Sequence, residues 1–407
     1  MFKGKFVDIV KEEDGFLRGP FGSALKKSLF VPKAINTYKV YEQGVVLQED
    51  VNIGNYYITE EYFENNLSRF EVKGRDFLVS CSGVNYGAIF QLPEEIEKGV
   101  INQALLRIRL NNEIIDDNYF LYYFKTYIVK KITTGTGDST IPNFPPMSVV
   151  KNIPIELPDL NTQRQIGQFL KDIDNKIKKN NEMSYILEKI SRMYYENWFI
   201  NYNFNDLTNL ELKPTESDYA MSDIFHKSVP KTWKVSKIGD LIKENDKSKV
   251  QVRDARNIVG DIPFFTSGAD ILLYNEPMVS KMNIFINTGG NADVKYYYGD
   301  ASYSTDTWCI TSDEYVYYLL FDLLSIKNDI DNKFFEGTGL KHLQKKLLKD
   351  RYIVIPPLEV IKEFNKIVEN NIKKISLIFL ENNKLEEIKN YYMKHLINDQ
   401  IKIKEVV

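Results

Sequence analysis

The sequence predicts a mixed α/β (α+β) protein with a pseudo-two-fold internal repeat: two similar globular domains separated by two long helices that form an antiparallel coiled coil. Three observations predict this fold class. Blocks of sequence recur about half a chain apart, short strand-like runs precede each block, and a long segment almost free of glycine and proline follows each one. A chain of 407 residues is also long enough for two or three domains.

The repeat is visible in two pairs of blocks with one offset. VKNIPIELPDL at 150–160 matches LKDRYIVIPPL at 348–358, and LEKI at 187–190 matches LEEI at 385–388, each 198 residues later. A GTG triplet at 135–137 recurs at 337–339 with an offset of 202. Ordered matches of this kind indicate a duplicated unit of a globular domain followed by a helix.

The globular segments share β-branched and aromatic runs broken by Gly, Asn and Asp, such as FLVS at 77–80 and NIFIN at 283–287. Such runs are typical of short strands in a mixed fold. A stretch rich in Asn, Asp and Ser joins the first helix to the second globular segment. The predicted segments are domain 1 at 1–157, the central helix at 158–200, a linker at 201–230, domain 2 at 231–355 and the C-terminal helix at 356–407.

The two helical segments carry the same apolar spacing. Steps of four and three residues from Ile166 and from Phe364 meet seven apolar residues in ten positions each. This is the 3.5-residue seam of a coiled coil, and Asn180, Asn371 and Asn382 on it would fix register at some loss of stability. The alternative is that each helix packs only on its own domain. The predicted seam residues are Ile166, Leu170, Ile173, Ile177, Leu187, Phe364, Val368, Ile375, Ile378 and Leu385.

Composition limits the function classes. The chain is 43% hydrophobic and 27% charged, which is typical of a folded protein. Its net charge of -3 excludes a uniformly basic nucleic-acid coat, so a nucleic-acid surface must be a local patch or be shared with a partner. Two cysteines and three scattered histidines predict neither a disulfide framework nor a metal site, and the absence of a long apolar run predicts a cytoplasmic protein.

Catalytic motifs are absent from the sequence. GTGDST at 135–140 lacks the lysine of a phosphate-binding loop, and Ser23-Ala24-Leu25-Lys26 matches S-x-x-K without the other parts of that active site. The histidines have no Ser or Cys partner at a catalytic spacing. The sequence therefore predicts a non-catalytic binding protein.

Two different globular domains joined by a helix pair could bind a DNA target that consists of two separated half-sites. About 30 seam residues at ~1.5 Å each would span roughly 45 Å, or about 13 base pairs. Lysines beside glycine-rich turns can bind phosphates, and Ser, Thr and Asn on loops can read base edges. The alternatives are plain hairpin turns for the loops and a solvated amphipathic helix face for the basic segment KHLQKKLLKDR at 341–351. The candidate DNA-binding residues are Lys26, Lys27, Ser82, Asn85, Thr288, Asn291, Lys341, Lys345 and Lys346.

Several of these segments resemble one family. GPFGSALKK at 19–27, INQALLRIR at 101–109, GTG at 135–137 and the block at 153–182 followed by YYENWF at 194–199 are similar to the DNA-specificity subunit of Type I restriction–modification systems. The most specific part runs from Pro158 to Ile177. The second copy departs from it, because Val360-Ile361-Lys362 replaces Thr162-Gln163-Arg164.

The resemblance implies two target recognition domains that each read one half-site of an asymmetric bipartite sequence in double-stranded DNA, with the helix pair setting the gap. It also implies two adenine methyltransferase subunits as partners, and restriction/translocase subunits in the full complex. S-adenosylmethionine would bind to the methyltransferase, whereas this chain would hold no cofactor and no metal and would contact no membrane. The rival hypotheses are a helical scaffold or adhesion protein without DNA binding, and an enzyme with an unrecognised site.

Overall fold

The computed structural model of the chain describes residues 1–133, 144–203, 218–339 and 341–397. It divides into two units, one made of Met1–Ile177 with Lys384–Val407 and the other of Lys178–Asn383. Each unit contains one globular segment and a part of both long helices. The first GTG triplet at 135–137 and linker residues 204–217 lie outside the described residues.

The described part of the first unit is built on three small sheets, one of which contains a parallel strand pair. β2, β8, β5 and β6 form one sheet in that order, β4, β3 and β7 form a second, and β1 pairs with β9. The strands are β1 (Phe2–Lys5), β2 (Phe16–Arg18), β3 (Thr37–Tyr41), β4 (Tyr57–Thr59), β5 (Phe77–Ser80), β6 (Ile89–Gln91), β7 (Gly99–Ile101), β8 (Leu105–Ile108) and β9 (Pro154–Leu157).

Helix α3 (Asp117–Tyr123) packs on one face of the sheet that contains β5. The aromatic run of α3 is buried, and Phe120 packs edge-on against Phe77 of β5 with ring centroids 4.9 Å apart. The carboxylate of Asp116 caps this helix by accepting a hydrogen bond from Tyr119 N at 3.0 Å. The helices that begin in this unit are α1 (Gln43–Leu47), α2 (Glu60–Tyr62), α3 (Asp117–Tyr123), α4 (Val129–Thr133), α5 (Met147–Lys151) and α6 (Leu160–Tyr195).

The second unit begins with a hairpin inside the segment assigned to the linker, where β10 pairs with β11. Its strands are β10 (Tyr219–Ser222), β11 (Lys227–Pro230), β12 (Lys234–Lys237), β13 (Lys243–Glu244), β14 (Ile262–Phe265), β15 (Ile271–Tyr274), β16 (Met282–Asn287), β17 (Val294–Tyr298), β18 (Ser302–Tyr303), β19 (Thr307–Thr311), β20 (Phe335–Glu336), β21 (His342–Leu343) and β22 (Tyr352–Ile355). Its helices are α7 (Val252–Ala255), α8 (Val316–Ser325), α9 (Lys327–Lys333), α10 (Lys345–Asp350) and α11 (Leu358–Ile397).

The second unit repeats the topology of the first. Its sheets have the orders β13-β19-β16-β17 and β15-β14-β18, and β12 pairs with β22 as β1 pairs with β9. β9 and β22 begin 198 residues apart, and so do α6 at Leu160 and α11 at Leu358. The predicted internal repeat and the mixed fold class are therefore confirmed.

Within the first unit, the ends of α6 and α11 pair in opposite directions. Phe169 contacts Tyr392 edge-on with centroids 5.2 Å apart, and Lys389 Nζ lies 3.0 Å from the Asp174 carboxylate. Residue numbers on α11 decrease as those on α6 increase, so the two helices are antiparallel here. Leu396 joins Ile166 and Leu170 in the same buried cluster.

Within the second unit, α6 and α11 are antiparallel as well. Asn371 Nδ2 donates to Ser191 Oγ at 3.0 Å, and Asn180 Nδ2 donates to Asn382 Oδ1 at 2.8 Å. Asn382 in turn donates to Asn181 Oδ1 at 2.8 Å. The predicted antiparallel pair is therefore present in each unit, and its polar positions bond to each other as a register-fixing layer requires.

All ten predicted seam residues lie on the covered side of their helices. Those that are fully buried are Ile166, Leu170, Ile173, Phe364, Val368 and Ile378. Those that are half-buried are Ile177, Leu187, Ile375 and Leu385.

Replacing Asn180 with alanine should destabilise the second unit by about 1–3 kcal/mol, because it removes the two hydrogen bonds that the buried Asn180 amide donates to Asn382 and Glu381. The chain's tryptophans Trp198, Trp233 and Trp308 all lie in the core of this unit, so their fluorescence during urea unfolding reports its stability. Lys179→Ala, at the exposed neighbouring position, is the control. Equal unfolding midpoints for the two variants would mean that the polar layer contributes nothing.

Neither cysteine is positioned for a disulfide or an exposed reactive thiol. Cys81 and Cys309 are buried, and burial raises the pKa of each thiol to about 12. Within the described ranges, the His, Cys, Asp and Glu side chains form no group of three that could hold a metal ion. No helix in these ranges has an apolar stretch long enough to cross a membrane.

Candidate nucleic-acid interface

Three separate segments of the first unit meet where strands β2, β5 and β8 approach each other. Gly19 N donates to Leu105 O at 2.9 Å, and Cys81 N donates to Ala104 O at 2.8 Å. These bonds join residues 19–22, 81–85 and 102–104, which we call the first loop cluster. The predicted residues Ser82 and Asn85 belong to it.

The loop that carries Ser82 and Asn85 is held by a side chain from α1. Gln43 Nε2 donates to Ser80 Oγ at 2.7 Å and to Ser82 O at 2.6 Å. Ser82 is half-buried, whereas Asn85 is exposed. Asn85 is therefore the more accessible of the two predicted side chains on this loop.

Lys26 and Lys27 follow the first loop cluster along the chain. Both are exposed, and they form a short 3₁₀ turn in which Leu29 N donates to Lys26 O at 2.9 Å. The preceding residue Ala24 is tied to the domain through its carbonyl, which accepts from the Tyr62 hydroxyl at 2.9 Å. The two lysines thus present their charges from an anchored turn, as a phosphate contact needs.

The second unit has an equivalent cluster. Its loop 288–293 joins β16 to β17 as residues 81–88 join β5 to β6, and Thr288 N donates to Asp306 O at 3.0 Å. The Thr288 hydroxyl also donates to Asp306 O, at 2.8 Å, while Asn291 is exposed. We call residues 287–291 and 304–306, with 341–346, the second loop cluster.

The structure brings the predicted lysine segment onto this loop. Gly290 N donates to Lys341 O at 3.0 Å, and Leu343 N donates to Thr288 O at 3.0 Å. Residues 341–351 are therefore not one basic helix, because β21 pairs with the loop before α10 begins. Lys341 lies 3.5 Å from the carboxylate of Asp331, which offsets part of its charge.

The other two predicted lysines differ in their surroundings. Lys345 lies over the Trp308 ring, 4.9 Å from its centroid, and burial lowers the pKa of its ammonium group. Lys346 is exposed. Lys349, one turn later, pairs with Glu244 at 2.8 Å. Of the two predicted lysines on α10, Lys346 is thus the exposed one, whereas Lys345 packs against the Trp308 ring.

The sequence reasoning did not select Phe21 and Gln103, which are among the exposed residues of the first loop cluster. The Phe21 side chain is 89% exposed, and Gln103 is exposed on the turn between β7 and β8. Both lie in segments that the resemblance to the specificity family had already used, at 19–27 and 101–109. The sequence thus drew attention to both segments. It could not show that the two segments lie next to each other in the folded unit.

Replacing Gln43 with alanine should loosen the loop at 81–87. Loss of two hydrogen bonds, each worth about 1 kcal/mol, should speed amide hydrogen exchange in the loop by roughly 5- to 30-fold. Exchange followed by mass spectrometry measures this directly. Gln48→Ala, an exposed glutamine at the other end of α1, is the control, and equal exchange in both variants would contradict the positioning role.

Known proteins share this architecture. A family model described as the Type I restriction modification DNA specificity domain matches residues 22–188 and 230–390. The MjaIX specificity subunit of Methanocaldococcus jannaschii is 23% identical over 386 residues, which cover 88% of this chain and 84% of that protein. The MjaVIII specificity subunit of the same organism is 26% identical over 219 residues, 51% of this chain and 47% of that protein.

A solved structure shares the fold. The Type I restriction–modification S subunit from M. genitalium aligns with a TM-score of 0.63 at 17% identity and covers 97% of this chain and 95% of that chain. At this level of identity the match concerns the fold alone.

Proposed function

Because the chain belongs to the family of Type I restriction modification DNA specificity domains, we propose that it reads a bipartite DNA target with one half-site for each globular domain. Membership of the family assigns it a role in DNA sequence specificity. The proposal adds that the two half-sites differ, so the target is asymmetric.

The observation that carries the proposal is a repeated scaffold with unlike loops. Both units have the same strand order, and both place a loop cluster at the same point of the topology. The first cluster carries Phe21, Asn85 and Gln103, whereas the second carries Asn291 and Lys341. Side chains that differ in this way would contact different base edges, so each domain would recognise its own sequence.

We propose that the pair formed by α6 and α11 sets the gap between the half-sites. Support comes from the antiparallel contacts within each unit and from the polar layer around Asn180 and Asn382, which opposes slippage. A seam of about 30 residues rises roughly 45 Å, which corresponds to about 13 base pairs.

The proposed role is non-catalytic and depends on partners. Two adenine methyltransferase subunits would bind this chain, and restriction/translocase subunits would join them in the full complex. The methyltransferase would hold S-adenosylmethionine and take the target adenine out of the base stack. Partners that share the phosphate contacts would also account for a DNA-reading chain with a net charge of -3. The proposed location is the cytoplasm, where the chromosome is accessible.

The test is to sequence modified adenines in a strain that carries the intact locus and in a strain with this gene deleted. The proposal expects a split asymmetric motif that disappears on deletion and returns with a plasmid copy. A motif that persists in the deletion strain would overturn the proposal. Absence of salt-dependent DNA binding by the chain with its methyltransferase would favour a scaffold instead.

A further inference from the structure

We propose that Phe21 and Gln103 together read A·T base pairs in the half-site of the first domain, the ring contacting a thymine methyl group and the amide contacting adenine. This inference rests on the proposed function and names part of its recognition site. It comes from a juxtaposition that exists only in the folded unit, since the two residues lie 82 positions apart in the chain.

Phe21 is an exposed aromatic residue on an anchored turn. Gly19 N donates to Leu105 O at 2.9 Å, and a Cβ at Gly19 would collide with the carbonyl of Asn102. After the ring, Ala24 N donates to Phe21 O at 2.9 Å and closes the turn. The backbone is therefore held on both sides of a side chain that is 89% exposed. The Phe21 ring is therefore held at a fixed place on the surface and is accessible to a ligand.

Gln103 stands beside this turn. Asn102 Oδ1 accepts from Ala104 N at 3.0 Å, and Leu105 N donates to Asn102 O at 3.1 Å, so the turn that carries Gln103 is closed by two bonds. The Arg18 Nε–H donates to Gln103 O at 3.4 Å. The side-chain amide of Gln103 lies against Gly22, where a Cβ would meet its Oε1 atom. The amide and the Phe21 ring thus belong to neighbouring positions on one surface.

The chemistry of the pair favours adenine and thymine. A glutamine amide can donate to N7 and accept from the N6 amino group of adenine at the same time. An apolar side chain can contact the C5 methyl group of thymine, which protrudes into the same major groove. The exposed Lys26 and Lys27, a few residues after the ring, can contact the phosphates alongside.

The first experiment compares Phe21→Ala and Gln103→Ala with wild type, each assembled with the methyltransferase of its locus. Sequencing of modified adenines should show that an A·T position becomes degenerate in one half-site, while the other half-site stays intact. Binding to the wild-type target should weaken about fourfold for Phe21→Ala and roughly 5- to 100-fold for Gln103→Ala.

Ile35→Ala is the matched control. Ile35 is as exposed as Phe21 and precedes β3, whereas the opposite end of β3 reaches the loop cluster, where Asn102 N donates to Tyr41 O at 3.0 Å. The control variant should keep the wild-type motif and affinity. If it loses specificity as Phe21→Ala does, exposed apolar surface in general rather than the ring beside Gln103 is responsible, and the inference fails.

The second experiment changes the DNA instead of the protein. Deoxyuridine in place of the contacted thymine removes only the methyl group, and 7-deazaadenine removes only N7. Wild type should lose about fourfold affinity with deoxyuridine, whereas Phe21→Ala should lose nothing further. Likewise, wild type should lose affinity with 7-deazaadenine, whereas Gln103→Ala should lose nothing further.

The outcomes separate the inference from the proposed function. A split motif that is unchanged in both variants, with additive effects of protein and DNA changes, would overturn the inference and leave the function standing. A wild-type complex that modifies no sequence-specific motif would overturn the function itself. The wild-type protein on altered DNA provides one measurement that does not depend on the folding of a variant.

Discussion

Replacing Arg351 with methionine should destabilise the second unit by about 3–5 kcal/mol, because it leaves the buried carboxylate of Asp322 without its cation. Arg351 donates to the two oxygens of Asp322 at 2.6 and 3.0 Å. Only 7% of the Asp322 side chain is exposed, and the Tyr195 hydroxyl from α6 also donates to it, at 3.4 Å. The pair therefore links α8, α6 and the start of β22 in one core.

Tryptophan fluorescence during urea unfolding measures this loss, since all three tryptophans lie in that core. Lys237→Met is the control, because the adjacent pair of Lys237 and Asp350 has a similar distance of 2.7 Å with nearly half of each side chain exposed. An exposed pair contributes about 0–1 kcal/mol. Equal unfolding midpoints for Arg351→Met and Lys237→Met would contradict the structural role of the buried pair.

Inserting seven residues into each long helix at matched positions should lengthen the recognised gap by about three base pairs, because a heptad adds ~10 Å of helix. The contacts of Asn180 with Asn382 and of Ser191 with Asn371 fix the matched sites. They place an insertion after position 183 of α6 opposite one after position 378 of α11. Sequencing of modified adenines then reads the new gap directly.

Single insertions provide the control. A heptad inserted into α6 alone moves Ser191 two helical turns further from Asn180. Asn382 and Asn371 on α11 keep their original separation, so only one of the two hydrogen bonds, Asn180 with Asn382 or Ser191 with Asn371, can form. Such variants should be less stable and should modify DNA poorly, whereas the matched variant should keep a seam of full length. An unchanged gap in an active matched variant would mean that the helix pair does not set the spacing.

The repeat and the helices could be predicted because their signals are local. The 198-residue offset of the matched blocks reappears in the starts of β9 and β22 and of α6 and α11. The 3.5-residue spacing identified residues of the two helical segments that share a buried cluster, such as Ile166 with Leu396 in the first unit and, just past the end of α6, Trp198 with Phe364 in the second. The hairpin of β10 and β11 was not predicted, since its residues resemble a polar linker and become strands only by pairing with each other.

The candidate site was predictable only in part. Ser82 and Thr288 were chosen as hydroxyl groups on loops; the Thr288 hydroxyl donates to Asp306 O, whereas Gln43 holds the loop of Ser82 through the Ser82 carbonyl. The basic segment at 341–351 suggested one charged face, yet Lys341 is on the loop cluster and Arg351 is in the core. Residue type indicates what a side chain can bind, whereas its partners depend on contacts between distant segments.

By itself, the sequence determined that this chain is a duplicated α/β unit with two matched helical seams, and its motifs indicated the family. Tertiary structure alone decided which loops meet: Gly19 with Leu105 in one unit, and Gly290 with Lys341 in the other. The physical reason is that helix and strand periods repeat within a few residues. A recognition surface instead depends on backbone hydrogen bonds between strands and loops, and those that define the two loop clusters join residues 18 to 86 positions apart in the chain.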